Sequence, residues 1–181
     1  MKNWILLLIL GVAFNLHSQE RFLTRTGEIR FEASVPSFEP VAAENNAVTA
    51  ILNPQNGDIA ALALVRGFRF ENALMEEHFN ENYAESVKYP KATLKGKIEG
   101  FSLEKLSETP TPFSLKAQLT FHGTTKTLTL PLQISKKGST IQLRSNFVLY
   151  PKDFNIEIPG IVREKVAKEV SVEVFFELKK K

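Results

Sequence analysis

One amphipathic helix stands alone in a chain whose other apolar residues recur with period two. Leu115, Ala117, Leu119 and Phe121 alternate with Lys116, Gln118 and Thr120. Leu128, Leu130, Leu132 and Ile134 repeat the pattern, as do Ile141, Leu143, Ser145, Phe147 and Leu149, and then Val170, Val172, Val174, Phe176 and Leu178. Side chains point to opposite faces at successive strand positions, so this alternation describes sheets that are dry on one face and wet on the other. Such a chain has few options. It must bury one face of many strands and dispose of their edges.

The helix occupies residues 71–86. Leu74, Met75, His78, Phe79 and Tyr83 fall at helical spacing and form an inward stripe, while Glu76, Glu77, Glu81 and Glu85 face water. Pro90 stops the helix and biases Tyr89 toward extended geometry. Beyond it, Ala92, Leu94, Gly96 and Ile98 alternate with Thr93, Lys95, Lys97 and Glu99 as the next strand.

Turn chemistry sets the remaining order. Ile29 and Phe31 begin a strand after Gly27, and Val48 to Leu52 forms a second. Residues 53–58 (Asn-Pro-Gln-Asn-Gly-Asp) turn the chain into a segment from Ile59 to Phe70 that is apolar on both faces at first. His122-Gly123 reads as a hairpin turn and residues 136–139 as another. Residues 151–164 are irregular, with a short helical piece. Roughly eight antiparallel strands with one helix are accommodated most simply by closure, which removes exposed edges. The expected fold is all-β: an eight-stranded antiparallel, lipocalin-like barrel with the amphipathic helix at its mouth, in one domain over residues 19–181.

Residues 1–18 read as a secretory signal peptide: Lys2, an apolar run from Trp4 to Phe14, and Leu16-His17-Ser18 as the exit. The run is short for a membrane span of about 20 residues. The absence of cysteine excludes disulfides, thiolate chemistry and lipid attachment through an N-terminal Cys. The expected product is soluble, periplasmic or secreted, and not a lipoprotein. Its 23 Lys and Arg against 20 Asp and Glu leave no excess that would build a nucleic-acid groove. Lys179-Lys180-Lys181 reads as a solvated end.

Three segments carry a family resemblance. They are the helix ending in Lys88-Tyr89-Pro90-Lys91-Ala92-Thr93, the hairpin from Leu119 to Lys126, and Tyr150-Pro151-Lys152-Asp153-Phe154-Asn155-Ile156. In their order and spacing they resemble the YceI-like family of secreted lipocalin-like barrels, whose characterised members bind isoprenoid lipids. The likeness spans about residues 22–178. Where many members carry Arg-Asp-x-His-Leu at the helix start, this chain has Glu71-Asn72-Ala73-Leu74-Met75, and Ser34-Val35-Pro36 replaces a frequent His after the first strand. The resemblance implies an apolar lipid partner, an isoprenoid or a quinone, bound as ligand rather than cofactor, and transient contact with a membrane surface.

Sharper chemistry finds little support in the residues. His78 and Glu81 lie at i, i+3, but metal sites need three or four ligands. His122 precedes Gly123 in a turn, where it bonds the backbone. Asp58 and Asp153 are the only aspartates, and no nucleophile or nucleotide fingerprint appears. No catalytic residue, metal or cofactor is assigned. Fourteen Phe against one Trp make a Phe-weighted interior. Phe68, Phe70, Leu74, Met75, Phe79, Tyr83, Leu94, Phe121, Phe147 and Phe154 are the candidate lining of a dry ligand cavity, with Leu74, Met75 and Phe79 as its gate. An eight-stranded barrel is either filled or holds one small ligand, and the same alternation serves both. A ligand-free structural barrel and an envelope enzyme are the competing readings.

Overall fold

The computed structural model describes residues 20–36 and 38–181, so the expected signal peptide lies outside the described residues. The elements are β1 (Phe22–Glu32), β2 (Ala42–Leu52), β3 (Asp58–Leu64), β4 (Arg69–Phe70), α1 (Ala73–His78), β5 (Lys91–Ile98), β6 (Thr111–Phe121), β7 (Thr124–Lys137), β8 (Thr140–Leu149) and β9 (Val170–Lys180). Eight long strands run β1-β2-β3-β5-β6-β7-β8-β9, and β9 pairs back onto β1. All pairings are antiparallel, and the ring is a closed barrel. The two-residue β4 adds to the end of β2 through Ala43 and Phe70.

The alternation located the strands but understated their lengths. β1 starts at Phe22, ahead of Gly27, and β2 starts at Ala42 rather than near Val48. These opening strand residues include Thr, Asn and Glu, so periodicity alone did not mark them. The segment from Ile59 to Phe70 is not one strand. It breaks at a 3-10 turn, Val65–Gly67, beneath which the buried Asn45 side chain donates to the Leu64 carbonyl at 3.0 Å. Gly67 lies against that amide so closely that a Cβ would sit 2.6 Å from its nitrogen.

The helix is also shorter than residues 71–86. Asn72 caps α1 by accepting from the Leu74 and Met75 amides at 2.9 and 3.3 Å. After His78 the chain widens into a π-helical turn, Phe79–Tyr83, and Glu85 then takes a positive φ of 43° that ends it. The His122-Gly123 hairpin is as expected: both residues have positive φ, 47° and 70°, the two-residue turn that matches strand twist. The irregular stretch contains two 3-10 turns, Pro151–Phe154 and Gly160–Val162.

The barrel interior divides into two halves. At the end holding the 53–58 and 137–140 turns, Phe22, Leu52, Ile98, Ile134, Ile141 and Leu178 are 0–3% exposed and fill the lumen. Phe101, Leu103, Leu106 and Phe113 pack over this end from the β5–β6 connection and the start of β6. Toward the opposite end, the mouth, inward residues of the same strands (Ile29, Phe31, Ala61, Leu94, Leu119, Phe147) are only half-buried. Nothing at the packed end distinguishes them in sequence. They border empty space.

Candidate ligand-binding site

That space is a cavity of about 190 Å³ within the upper barrel, continued by a chamber of about 390 Å³ at the mouth. Phe31, Phe79, Phe121, Leu149 and Val170 line both, so the two compartments meet at a ring of mostly aromatic side chains. The inner cavity is apolar apart from Thr93 and Ser145. The chamber carries polar groups at its rim, among them Glu39, His78, Tyr83, Tyr150 and Lys165. Together they fall within the roughly 300–1,000 Å³ of small-molecule sites.

Four rings tie the helical segment to the barrel. Phe79 lies 5.4 Å from Phe31, 6.0 Å from Phe68 and 5.2 Å from Phe70 between centroids, and Phe31 lies 5.3 Å from Phe68. Tilted and edge-on arrangements such as these contribute about 0.5–1.5 kcal/mol per pair beyond area burial. Glu76, expected in water, instead pairs with Arg69 at 2.8 Å and accepts from the Phe70 amide at 3.2 Å. It fastens α1 to β4.

On the other side of the mouth the barrel wall is incomplete. β7 and β8 pair only from Gln133 to Lys137, because Pro131 has no amide hydrogen to continue the ladder. The Ser145 hydroxyl donates to the Pro131 carbonyl at 2.6 Å at the point where pairing stops. The 3-10 turn after β8 packs against the β6–β7 hairpin beyond it, with buried Phe154 against Phe121 at 5.9 Å and Asn155 donating to Thr124 at 2.9 Å.

A single imidazole connects the two sides. His122 Nδ1 lies 2.9 Å from the Phe154 carbonyl, and Nε2 lies 2.7 Å from a Glu85 carboxylate oxygen. The Tyr89 ring meets it edge-on at 4.6 Å. The hydrogen bond from His122 holds the Glu85 carboxyl below its ordinary value, with desolvation acting the other way and Lys88 assisting. The backbone bond expected of His122 is present; its carboxylate partner, 37 residues away, left no mark in the sequence.

The candidate lining residues distribute between the compartments. Phe68, Leu94 and Phe147 line the inner cavity, Phe70, Met75, Tyr83 and Phe154 the chamber, and Phe79 and Phe121 both. Leu74 is the correction. It is 57% exposed and lines neither space, because its Cβ lies about 100° around the helix from that of Met75. Phe31 was missed although it alternates with Ile29 on β1. The chamber residues Phe38, Ile156, Ile158, Val162 and Val166 were missed for a better reason: irregular backbone has no period to reveal which side chains turn inward. Among the described residues no three His, Cys, Asp or Glu side chains gather as a metal site requires.

Comparison with known proteins bears on this arrangement. The fold resembles a polyisoprenoid-binding domain from Saccharophagus degradans implicated in plant cell wall breakdown, with a TM-score of 0.78 at 12% identity over 89% of this chain and 98% of that one. It also resembles BcnA of Burkholderia cenocepacia, with a TM-score of 0.69 at 16% identity over 84% and 95% of the two chains. The YceI protein of Campylobacter jejuni aligns with a TM-score of 0.59 at 16% identity over 79% and 88%. At these identities the likeness is one of fold. No curated protein sequence matches. The model of the YceI-like domain matches residues 19–178, and the chain belongs to that family.

Proposed function

We propose that this protein sequesters or carries an isoprenoid-type apolar lipid, such as a quinone, with its hydrocarbon in the inner cavity and its polar end in the chamber. The observation that carries the reading is the apolar slot that begins under Phe79 and continues into a barrel otherwise packed solid. A linear isoprenoid buries many carbons, each worth about 0.8 kcal/mol, so retention needs few hydrogen bonds. The printed description of the Saccharophagus degradans domain as polyisoprenoid-binding supports the ligand class. The role is binding rather than catalysis. The leader-like residues 1–18 support export and cleavage after Ser18, giving a soluble periplasmic or secreted carrier that meets membrane surfaces transiently to load and unload. In an aqueous compartment a long hydrocarbon has no refuge, and a closed tube removes its surface from water.

Mass spectrometry of organic extracts from natively purified protein should show a bound isoprenoid. The delipidated protein should take up a labelled isoprenoid above a non-binding control. If neither occurs, the ligand-free structural barrel becomes the better reading.

A further inference from the structure

The hollow has a floor. The lowest residues lining the cavity include Val48, Ile59, Leu143 and Phe176, all 4% exposed or less, and beneath them the lumen is filled. Phe176 makes the largest part of it. Its ring spreads over Gly27 of β1, where a Cβ would come within 2.6 Å of the ring's Cδ1. Gly27 sits at an irregularity in the β1–β2 register, so the strand contributes no side chain at that level and Phe176 occupies the space of two. Directly below, Leu178 pairs with Ile141, both wholly buried.

From this geometry we infer that Phe176 is the stop that limits how long a hydrocarbon chain the barrel accepts. The inference rests on the carrier reading above and adds its specificity. The hollow spans Leu143 to Leu149 on β8 and Val170 to Phe176 on β9. That is about 20 Å along a strand, or about 15 Å along the axis of a barrel with strands tilted by roughly 35–45°. An extended zigzag of C–C bonds advances about 1.25 Å per bond, so this depth takes on the order of twelve bonds, about three isoprene units. Further units have to lie in the mouth chamber. A chain that fills both compartments gains nothing from an additional unit, since that unit stays in water.

The test is a series of all-trans isoprenyl alcohols of two to six units, titrated into delipidated protein. Each added unit should tighten wild-type binding by about tenfold or more until both compartments are full, after which affinity levels off. Phe176→Ala should move the levelling point at least one unit longer. Phe176→Leu, which retains most of the core volume, should tighten binding of the first over-length alcohol at least threefold. Ala61→Leu, which fills the hollow from the β3 wall, should move the levelling point shorter. Binding by the wild type with the same levelling point in all three variants overturns the inference and leaves the carrier reading standing. If the wild type binds no member of the series, the carrier reading fails and the inference with it.

Discussion

His122 bonds to both sides of the mouth, to the Phe154 carbonyl and to the Glu85 carboxylate. A carbonyl and a carboxylate can only accept, so both bonds form together when each ring nitrogen carries a hydrogen and Glu85 is ionised. Three non-glycine residues among those described have positive φ, and they are Glu85, His122 and Asn155. All stand at this clasp, where packing over-determines a backbone that is otherwise disfavoured. Glu85 has its carboxyl held low by His122, so its contribution is present above the ordinary carboxylate value and is lost as pH falls through the lowered one. Stability of the wild type should therefore drop more steeply below about pH 4.5 than that of Glu85→Gln. At pH 7, Glu85→Gln and His122→Gln should each lower the melting temperature, and the double variant should melt close to His122→Gln. Additive effects in thermal melts would show that the two residues act separately. The sequence placed His122 in its turn and gave it a backbone partner. It had no means of showing a carboxylate brought across from the end of the helical segment.

The helical segment, α1 with the π-helical turn Phe79–Tyr83, is the element at which sequence and structure differ most. Its apolar spacing identified a helix, but a six-residue α1 and a π-helical turn share the work of one longer helix. The widened turn keeps Phe79 and Tyr83 on the chamber side while Leu74 turns outward. Helical period assumes regular geometry, and one residue of extra backbone per turn spoils it. This gives a comparison within one element. Met75→Glu or Phe79→Glu places a carboxylate against the chamber and should speed lipid release by about tenfold or more, the equivalent of about 1.4 kcal/mol. Leu74→Glu should leave release unchanged, since the side chain meets water already. Asn72→Ala should cost about 1 kcal/mol of stability through loss of the helix cap. Off-rates for a fluorescent isoprenoid would decide the matter. A Leu74→Glu effect as large as that of Met75→Glu would mean that the outer face of α1 also meets the lipid.

At the scale of the whole molecule the barrel is built in two parts with different tasks. Alternation in β5 to β9 made closure legible, because those strands showed which face is dry. It could not show that the dry face is packed at Ile134 and Ile141 but borders a cavity at Phe147 and Leu149. Those residues differ only in position along neighbouring strands, and whether space remains between them depends on side chains from β1, β3 and β9. Small residues such as Ala61 and Ala92 opposite the large ones leave the volume unfilled. The packed end should consequently carry most of the stability, and the mouth should open locally at lower cost. In hydrogen exchange without ligand, amides of β7 and β8 between Gln133 and Leu143 should be among the slowest. Residues 71–89 and 150–169 should exchange faster. Ligand at about 100 times its dissociation constant adds about 2.7 kcal/mol to the folded state, which for a chain of this size raises the melting temperature by roughly 5–10 °C. Protection should rise in those two mouth segments well before it rises in the packed end. Uniform protection with and without lipid, together with an unchanged melting temperature, would describe a solid barrel rather than a half-hollow one.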